Sequence, residues 1–386
     1  MHSGHPAGLW PTNSTNVPNA VITNGMMIPH YSTPNELDRT YALGVSMYGQ
    51  MTAGSWMYIG PQGIVHGTTL TVASAVDIQG REAGTDRTAK GKIFLTSGLG
   101  GMSGAQPKAG NISGVVTIVA EINKDALYKR KEQGWLDEAF TDIPALFARA
   151  KEAAAAGEAV SLGYLGNVVD VWEALASGGN DVPMVHVGSD QSSGHNPYNG
   201  GYYPAGMSFE DANELMVRDP GAFKEAVQAS LRRHLSAIQT LRDRDGLLFL
   251  DYGNAFLLEC HRAGCDVDPT IPSYVECIMG PEYFDYGFGP YRWVCTSGRS
   301  DELALTDSIA ASVLEEQIAD ADNARVLPQL QSNLTWINQA GENKMVVGSQ
   351  ARILYSDTIG RIECAVRMNR AVASGELSAP VVIGRD

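Results

Sequence analysis

The sequence predicts an α/β fold with a mostly parallel sheet. The main observation is that short apolar runs alternate with helical patterns between residues 59 and 251, which is typical of strands joined by crossover helices. A second observation is that a glycine-rich turn directly follows one of these runs, and a third is that polar loops follow several others. Parallel sheets of this kind bind ligands at the carboxyl ends of their strands, so we expect the functional residues there.

The glycine-rich turn stands between two apolar runs. Residues 92–95 predict a strand, residues 95–107 (LTSGLGGMSGAQP) a turn and short helix, and residues 115–119 a second strand that leads to Glu121. This order, with a carboxylate roughly 20 residues beyond the turn, is typical of a dinucleotide-binding unit. Glycines let the backbone approach a pyrophosphate, and a carboxylate facing the ribose favours NAD over its 2′-phosphorylated relative. An ordinary tight turn is the alternative interpretation.

The other elements follow from local patterns. Asp142 is a candidate helix N-cap and Gly157 a candidate helix end, so residues 142–157 predict a helix. The remaining predicted elements are strands at residues 20–23, 160–165, 182–187, 247–250, 351–355 and 380–383, and helices at about residues 222–243 and 358–374. A length of 386 residues leaves room for two domains.

Composition excludes several classes of protein. The formal net charge of −15 argues against nucleic acid and anionic membranes as partners, and no apolar run is long enough to span a bilayer. The first residues lack the basic and apolar regions of a secretory signal, and the five cysteines suit a reducing compartment. Cys260 and Cys265 lack a second ligand pair at zinc spacing, so no metal is expected.

Polar loops follow two of the predicted strands. Residues 190–197 (DQSSGHNP) offer an amide, two hydroxyls and the imidazole of His195, and residues 251–254 (DYGN) have the same placement. Contact with a ligand and a surface loop closed by Asx and Ser turns are both open interpretations. Further along, Arg292 stands between two aromatic residues after a glycine-proline turn. It is suited either to hold a carboxylate in a bidentate fork or to stack as a structural arginine.

Several of these segments resemble the urocanase family. The similar segments are residues 48–65 (YGQMTAGSWMYIGPQGIV), 95–107, 190–195, 251–254, 289–293 (GPYRW) and 375–386 (GELSAPVVIGRD). They are collinear over the whole chain. The family pattern extends beyond both ends, so the chain is expected to be truncated. The resemblance implies a Rossmann-like NAD-binding domain at residues 60–271, inserted into an α/β core domain formed by residues 1–59 and 272–386. It also implies a homodimer and a cytoplasmic location.

The resemblance also implies an activity. In urocanases, tightly bound NAD⁺ acts as an electrophile rather than as a hydride carrier, and its nicotinamide carbon reacts with the imidazole ring of urocanate. Protonation of the side chain and addition of water then give an imidazolone propionate, so the resemblance implies a hydratase (a hydro-lyase) of imidazole catabolism. Two other classes stay open: a conventional NAD-dependent oxidoreductase, and a non-catalytic remnant that binds NAD.

Functional residues are carried over from the family position by position. The NAD contacts map onto Gln50, Gly101, Met102, Ser103, Glu121, Gly166, Asn167, Gln191, Ser192, Ser193, Gly194, His195, Tyr202, Tyr203 and Tyr252. Arg292 matches the arginine that holds the substrate carboxylate, and Asp386 matches an acidic position associated with proton transfer.

The chain departs from the family pattern at positions expected near the reaction. Leu354 replaces the family's reactive cysteine, and leucine cannot act as nucleophile, acid or base. Asp285 stands where family members often carry another cysteine. These changes predict a paralogue that acts on a ring-modified urocanate, such as thiourocanate, S-methyl-thiourocanate or N-methylurocanate.

Two further departures lie in the predicted cofactor site. Ser103 replaces a glycine of the pyrophosphate turn, which a small residue can tolerate. Ala126 stands where an arginine of the family contacts NAD, and Lys124, Lys129 and Arg130 are nearby candidates to compensate for its loss.

Overall fold

A computed structural model describes residues 8–10, 20–22, 34–43, 61–343 and 350–384. The chain divides into two compact units, one made of Met1–Gly63 together with Gly287–Asp386 and the other of Ile64–Tyr286. The elements described before residue 90 are strand β1 (Gly8–Trp10), strand β2 (Ala20–Ile22), helix α1 (Pro34–Ala42) and helix α2 (Gln62–Ala83). Strands β1 and β2 pair in antiparallel fashion.

The Ile64–Tyr286 unit is built on a six-stranded parallel sheet. Its strands are β3 (Ile93–Ser97), β4 (Val116–Glu121), β5 (Glu138–Phe140), β6 (Val160–Leu165), β7 (Val187–Ser189) and β8 (Leu248–Leu250). Their order across the sheet is β5-β6-β4-β3-β7-β8, and every pairing is parallel. The chain runs outward from β3 on one side and then returns to build the other side from β7. The crevice between β3 and β7 is therefore the topological switch point, where sheets of this kind bind ligands.

Besides α2, seven further α-helices among the described residues accompany this sheet. They are α3 (Gln106–Ser113), α4 (Lys124–Glu132), α5 (Ile143–Ala156), α6 (Val168–Ser177), α7 (Phe209–Arg218), α8 (Pro220–Asp245) and α9 (Phe256–Arg262). All five residues of β3 are buried, as expected for a parallel sheet covered on both faces. The apolar core between sheet and helices includes Trp172, Phe223 and Phe249, each fully buried. The predicted α/β class with a parallel sheet is confirmed.

Local signals located several elements correctly. The helix predicted at residues 142–157 is α5, where the Asp142 carboxylate accepts the Ala145 N–H at 2.9 Å and Gly157 ends the helix with a φ of 66°. The strand predicted at 160–165 is β6. The strand predicted at 182–187 is wrong except for its last residue, because Pro183 has no N–H to donate and pairing with β3 begins at Val187.

The residues after 286 form a three-stranded antiparallel sheet with helices. The elements are β9 (Gly289–Cys295), α10 (Ser300–Ala319), α11 (Leu327–Gln339), β10 (Ala351–Ser356), α12 (Thr358–Ser374) and β11 (Val381–Gly384). The strand order is β10-β9-β11, so β9 lies in the middle. The helix predicted at residues 358–374 is confirmed as α12.

A buried ion pair joins this sheet to a helix. Arg352 of β10 donates two hydrogen bonds to the Asp307 carboxylate of α10, at 2.8 and 2.6 Å, and a third to Gln62 Oε1 at 3.1 Å. Burial raises the pKa of Asp307, and Arg352 opposes that rise. Because the arginine side chain is only 2% exposed, loss of the carboxylate would leave a buried charge unpaired.

None of the helices in the described ranges combines the length and the apolar composition that a transmembrane span needs.

Candidate functional site

A cleft lies at the carboxyl ends of β3, β4, β6 and β7. It encloses about 690 Å³ of space, part of it open to solvent. Of the residues predicted to contact NAD, nine line it: Ser103, Glu121, Gly166, Asn167, Gln191, Ser192, Ser193, Tyr202 and Tyr203. Residues far apart in sequence thus meet at the switch point of the sheet.

The glycine turn forms one wall of the cleft. Gly98 has a φ of 86°, and a Cβ there would lie 2.8 Å from Ser103 Oγ, so both backbone and space require glycine. Ser103 Oγ in turn accepts the Gly100 N–H at 3.0 Å, which makes this serine part of the turn. Among the described residues, nothing accepts the backbone N–H groups of Gly101 and Met102. The turn therefore offers donors to an anion.

Glu121 closes the same wall at the end of β4. Its Oε2 accepts the Leu99 N–H at 2.6 Å and its Oε1 accepts the Asn123 N–H at 2.8 Å, which fixes the carboxylate against the turn. Burial raises the pKa of Glu121, while these backbone bonds and the charge of Arg130 act in the opposite direction. Each carboxylate oxygen keeps a second lone pair, so the group can still accept a hydroxyl from a ligand.

Asn167 connects the far end of the cleft to helix α6. Its Oδ1 caps α6 by accepting the Val169 N–H at 3.0 Å, and its Nδ2 donates to the Tyr203 carbonyl at 2.9 Å. A Cβ at the preceding Gly166 would lie 2.5 Å from the Tyr164 ring, so this corner is tightly packed. Asn167 thus holds the start of α6 against the backbone of Tyr203.

The loop after β7 is organised by a carboxylate that the sequence analysis did not assign to the site. Asp190 is 1% exposed and accepts hydrogen bonds from Ser97 Oγ, Ser192 Oγ, the Ser192 N–H at 3.3 Å and Asn254 Nδ2 at 2.9 Å. Asn254 Nδ2 also donates to the Ser192 carbonyl at 2.8 Å. The network joins β3, the loop after β7 and the segment after β8. Its polar residues at three strand ends were the available clue in the sequence.

Three side chains of the cleft differ in how they are satisfied. Gln191 Nε2 is buried and has no hydrogen-bond partner among the described residues. The Tyr202 hydroxyl shares a 3.1 Å hydrogen bond with His234 Nδ1, and the Tyr203 hydroxyl donates to Asn213 Oδ1 at 3.0 Å. The tyrosine hydroxyls are therefore bonded within the protein, while the buried amide of Gln191 is not.

Other predicted NAD contacts lie beside the cleft rather than in its lining. Gly101 and Met102 are exposed in the glycine turn, and His195 is exposed in the loop that follows Gly194. Tyr252 stacks on the Tyr274 ring at 4.5 Å and donates to Thr68 Oγ1 at 3.2 Å. Burial raises the pKa of Tyr252 to about 12, so its phenol stays protonated.

The residues predicted for substrate binding and catalysis belong to other elements of the chain. Asp285 is exposed in the short turn Phe284–Tyr286. Arg292 is buried in β9, and Leu354 is fully buried in β10 directly opposite Tyr291. Since facing residues of paired strands share a face and neighbours alternate, Leu354 and Arg292 lie on opposite faces of the sheet. Gln50 and Asp386 lie outside the described residues.

The groups around the cleft fit a dinucleotide. Free backbone donors in a glycine turn suit a pyrophosphate, Glu121 suits a ribose, and the unpartnered Gln191 amide suits a polar ring substituent. In the part of the chain that the structure describes, no three His, Cys, Asp or Glu side chains are grouped to hold a metal ion. Fold and cleft define a protein with a Rossmann-like domain, a class that takes nucleotide cofactors at this position.

Comparison with known proteins identifies the family. The urocanase N-terminal domain matches residues 1–57, the urocanase Rossmann-like domain residues 60–278 and the urocanase C-terminal domain residues 282–386. The chain belongs to the urocanase family, as the sequence analysis predicted.

Named relatives agree with this assignment. Urocanate hydratase of Mus musculus is 54% identical over 396 residues, and urocanate hydratase of Homo sapiens is 52% identical over 396 residues. A probable urocanate hydratase of Caenorhabditis elegans is also 52% identical. Each comparison covers 100% of this chain but 58% of the relative, so the chain spans little more than half the length of the curated relatives it matches.

Proposed function

We propose that the cleft binds NAD and that the protein is a hydro-lyase that adds water to urocanate or to a ring-modified urocanate. The observation that carries the proposal is the convergence of Glu121, Asn167 and the unpartnered Gln191 amide on one cleft at the switch point, beside a glycine turn whose Gly101 and Met102 N–H groups have no acceptor among the described residues. Family membership supports it, because the relatives are named urocanate hydratases.

Different residues of the chain are proposed to bind different parts of NAD. The N–H groups of Gly101 and Met102 would hold the pyrophosphate, and Glu121 would accept hydrogen bonds from a ribose. The amide of Gln191 would orient the nicotinamide end. When bound, NAD⁺ supplies an electrophilic carbon to the electron-rich imidazole of the substrate.

Other residues are proposed to act on the substrate. The guanidinium of Arg292 would hold its carboxylate in a bidentate fork, and Asp386 would exchange a proton during hydration. Leu354 and Asp285, which replace family cysteines, favour thiourocanate, S-methyl-thiourocanate or N-methylurocanate over plain urocanate. A homodimer, a cytoplasmic location, a role in imidazole catabolism and the domain boundaries at residues 60 and 271 belong to the same proposal.

Binding is tested first by titrating NAD into the purified protein in a calorimeter. We expect binding by the unchanged protein and about tenfold weaker binding by Gln191→Ala, roughly the effect of one lost hydrogen bond to a buried amide. Gln331→Ala, which removes an exposed amide from α11, is the matched control and should bind as the unchanged protein does. Absence of NAD binding by the unchanged protein would overturn the proposal.

Activity is then tested by following the ultraviolet band of the conjugated acrylate. Urocanate and its sulfur- and methyl-substituted analogues are compared side by side. Consumption of a substituted analogue alone indicates the paralogue, and consumption of urocanate indicates an ordinary urocanase. Appearance of the NADH absorbance band during turnover would instead indicate the oxidoreductase alternative. NAD binding without turnover of urocanate or any analogue would indicate a non-catalytic remnant.

A further inference from the structure

Arg130 reaches from helix α4 to the backbone of the glycine turn. Its Nε donates to the Leu99 carbonyl at 3.1 Å, and its Nη2 donates to the Gly100 carbonyl at 2.7 Å. A third donor, Nη1, donates to Oε1 of Gln133, the residue that follows the helix, at 2.6 Å. The planar guanidinium therefore bridges two consecutive carbonyls, although Arg130 itself does not line the cleft.

Gly104 provides the space that the arginine needs. A Cβ at this position would lie 2.2 Å from Arg130 Nε and 3.0 Å from its Cζ. Gly104 is not among the described glycines with a positive φ, so its backbone conformation alone does not require glycine. Because the obstructing atoms belong to a long flexible side chain, an alanine here would displace the guanidinium while leaving the backbone intact.

The contacts of Arg130 determine how the turn presents itself to an anion. With the carbonyls of Leu99 and Gly100 bonded to the guanidinium, their negative ends are neutralised. The Leu99 N–H is bonded to Glu121 and the Gly100 N–H to Ser103 Oγ, and among the described residues the N–H groups of Gly101 and Met102 have no acceptor. A turn freed from Arg130 could rotate these peptides and lose that array of donors.

We propose that Arg130, which packs against Gly104, is a positioning residue that holds the glycine turn in its nucleotide-binding conformation. This inference rests on the proposed binding of NAD. It assigns a role to one of the three basic residues near Ala126, and that role is exerted through the turn backbone rather than by touching the cofactor.

The test is a double-mutant cycle on NAD affinity. Calorimetric dissociation constants are compared for Arg130→Gln, Arg130→Lys, Gly104→Ala and the Gly104→Ala/Arg130→Gln pair, at a temperature where all are folded. We expect Arg130→Gln and Gly104→Ala each to weaken binding about tenfold, and the double variant to be no weaker than Arg130→Gln alone, because both remove the same contact. Arg130→Lys should lose nearly as much, since an ammonium cannot bridge two carbonyls.

The control is Lys131→Gln, which removes the same charge from the neighbouring exposed position and should bind NAD within twofold of the unchanged protein. Full affinity in Arg130→Lys or in Gly104→Ala, or additive losses in the double variant, would overturn the inference. A loss of stability with unchanged affinity would reduce Arg130 to a structural residue and also overturn it.

Failure of the proposed function gives a different result. If the unchanged protein does not bind NAD, the proposed function is lost. The contact between Arg130 and Gly104 is then tested by urea unfolding of the unchanged protein, Arg130→Gln, Gly104→Ala and the double variant. Non-additive losses in the free energy of unfolding would support this contact, and additive losses would refute it.

Discussion

Replacement of Asp190 by asparagine tests whether the buried carboxylate shapes the cleft. Four hydrogen bonds converge on Asp190, from Ser97 Oγ, Ser192 Oγ, the Ser192 N–H and Asn254 Nδ2. An asparagine has nearly the same shape but only one acceptor oxygen. It would keep that oxygen towards Asn254, whose amide can only donate at this contact, and turn its own NH₂ towards Ser97.

The expected loss follows from the change in these bonds. A hydrogen bond to a charged group contributes about 1.5–3 kcal/mol and a neutral one about 0.5–1.5 kcal/mol, so each surviving bond weakens by about 1 kcal/mol. Removing a charge from a site that is 1% exposed offsets part of this loss. We therefore expect Asp190→Asn to lower the free energy of unfolding by roughly 2 kcal/mol. Because the same bonds hold the loop carrying Gln191, NAD should bind about tenfold more weakly or worse.

Urea unfolding and calorimetric NAD titration measure the two effects. Asp243→Asn makes the same chemical change at an exposed position of α8 and should alter neither quantity. Asp190→Asn with the affinity of the unchanged protein would refute the reasoning, because it would show that the loop keeps its shape without the charge. A loss of stability equal to that of Asp243→Asn would refute the energetic part.

Two further predictions concern buried residues. Burial lowers the pKa of His234 to about 4, from 6.5, so the neutral imidazole gains a proton only on unfolding. His234 alone should lower the free energy of unfolding by about 3 kcal/mol as pH drops from 6.5 to 4, so His234→Gln should reduce this slope by that amount in urea unfolding at several pH values; equal slopes would contradict the assignment. Leu354→Cys should shift substrate preference towards plain urocanate in the acrylate absorbance assay, and an unchanged profile would remove Leu354 from the site.

Sequence patterns predicted the parts of the fold that local chemistry decides. The cap at Asp142 and the stop at Gly157 located α5 because both act on backbone groups a few residues away. The glycine turn and Glu121 were predicted together for the same reason, since they follow consecutive strands. By contrast, Asp190 meets Ser97 across 93 residues and Asn254 across 64, and nothing local reveals that its side chain turns inward.

The relative placement of Arg292 and Leu354, both proposed to act on the substrate, was harder to predict because it depends on strand register. Residues 287–293 read as a turn followed by an arginine, whereas Gly289–Cys295 is the middle strand of a sheet. Register alone places Arg292 on one face and Leu354 on the other, and a shift by one residue would reverse the relation. No pattern within either segment specifies that register.

The residues proposed to hold NAD and two of those proposed to act on the substrate belong to different units of the chain. The groups proposed to hold NAD, from the glycine turn to Gln191, belong to the Ile64–Tyr286 unit and are fixed by one another, through Glu121, Asn167 and Asp190. Arg292 and Leu354 belong to the other unit. The hydrogen bonds that fix these groups involve no atom of Leu354. It follows that Leu354→Cys can change the substrate profile while NAD affinity stays the same, and a change in that affinity would argue that the two functions are coupled.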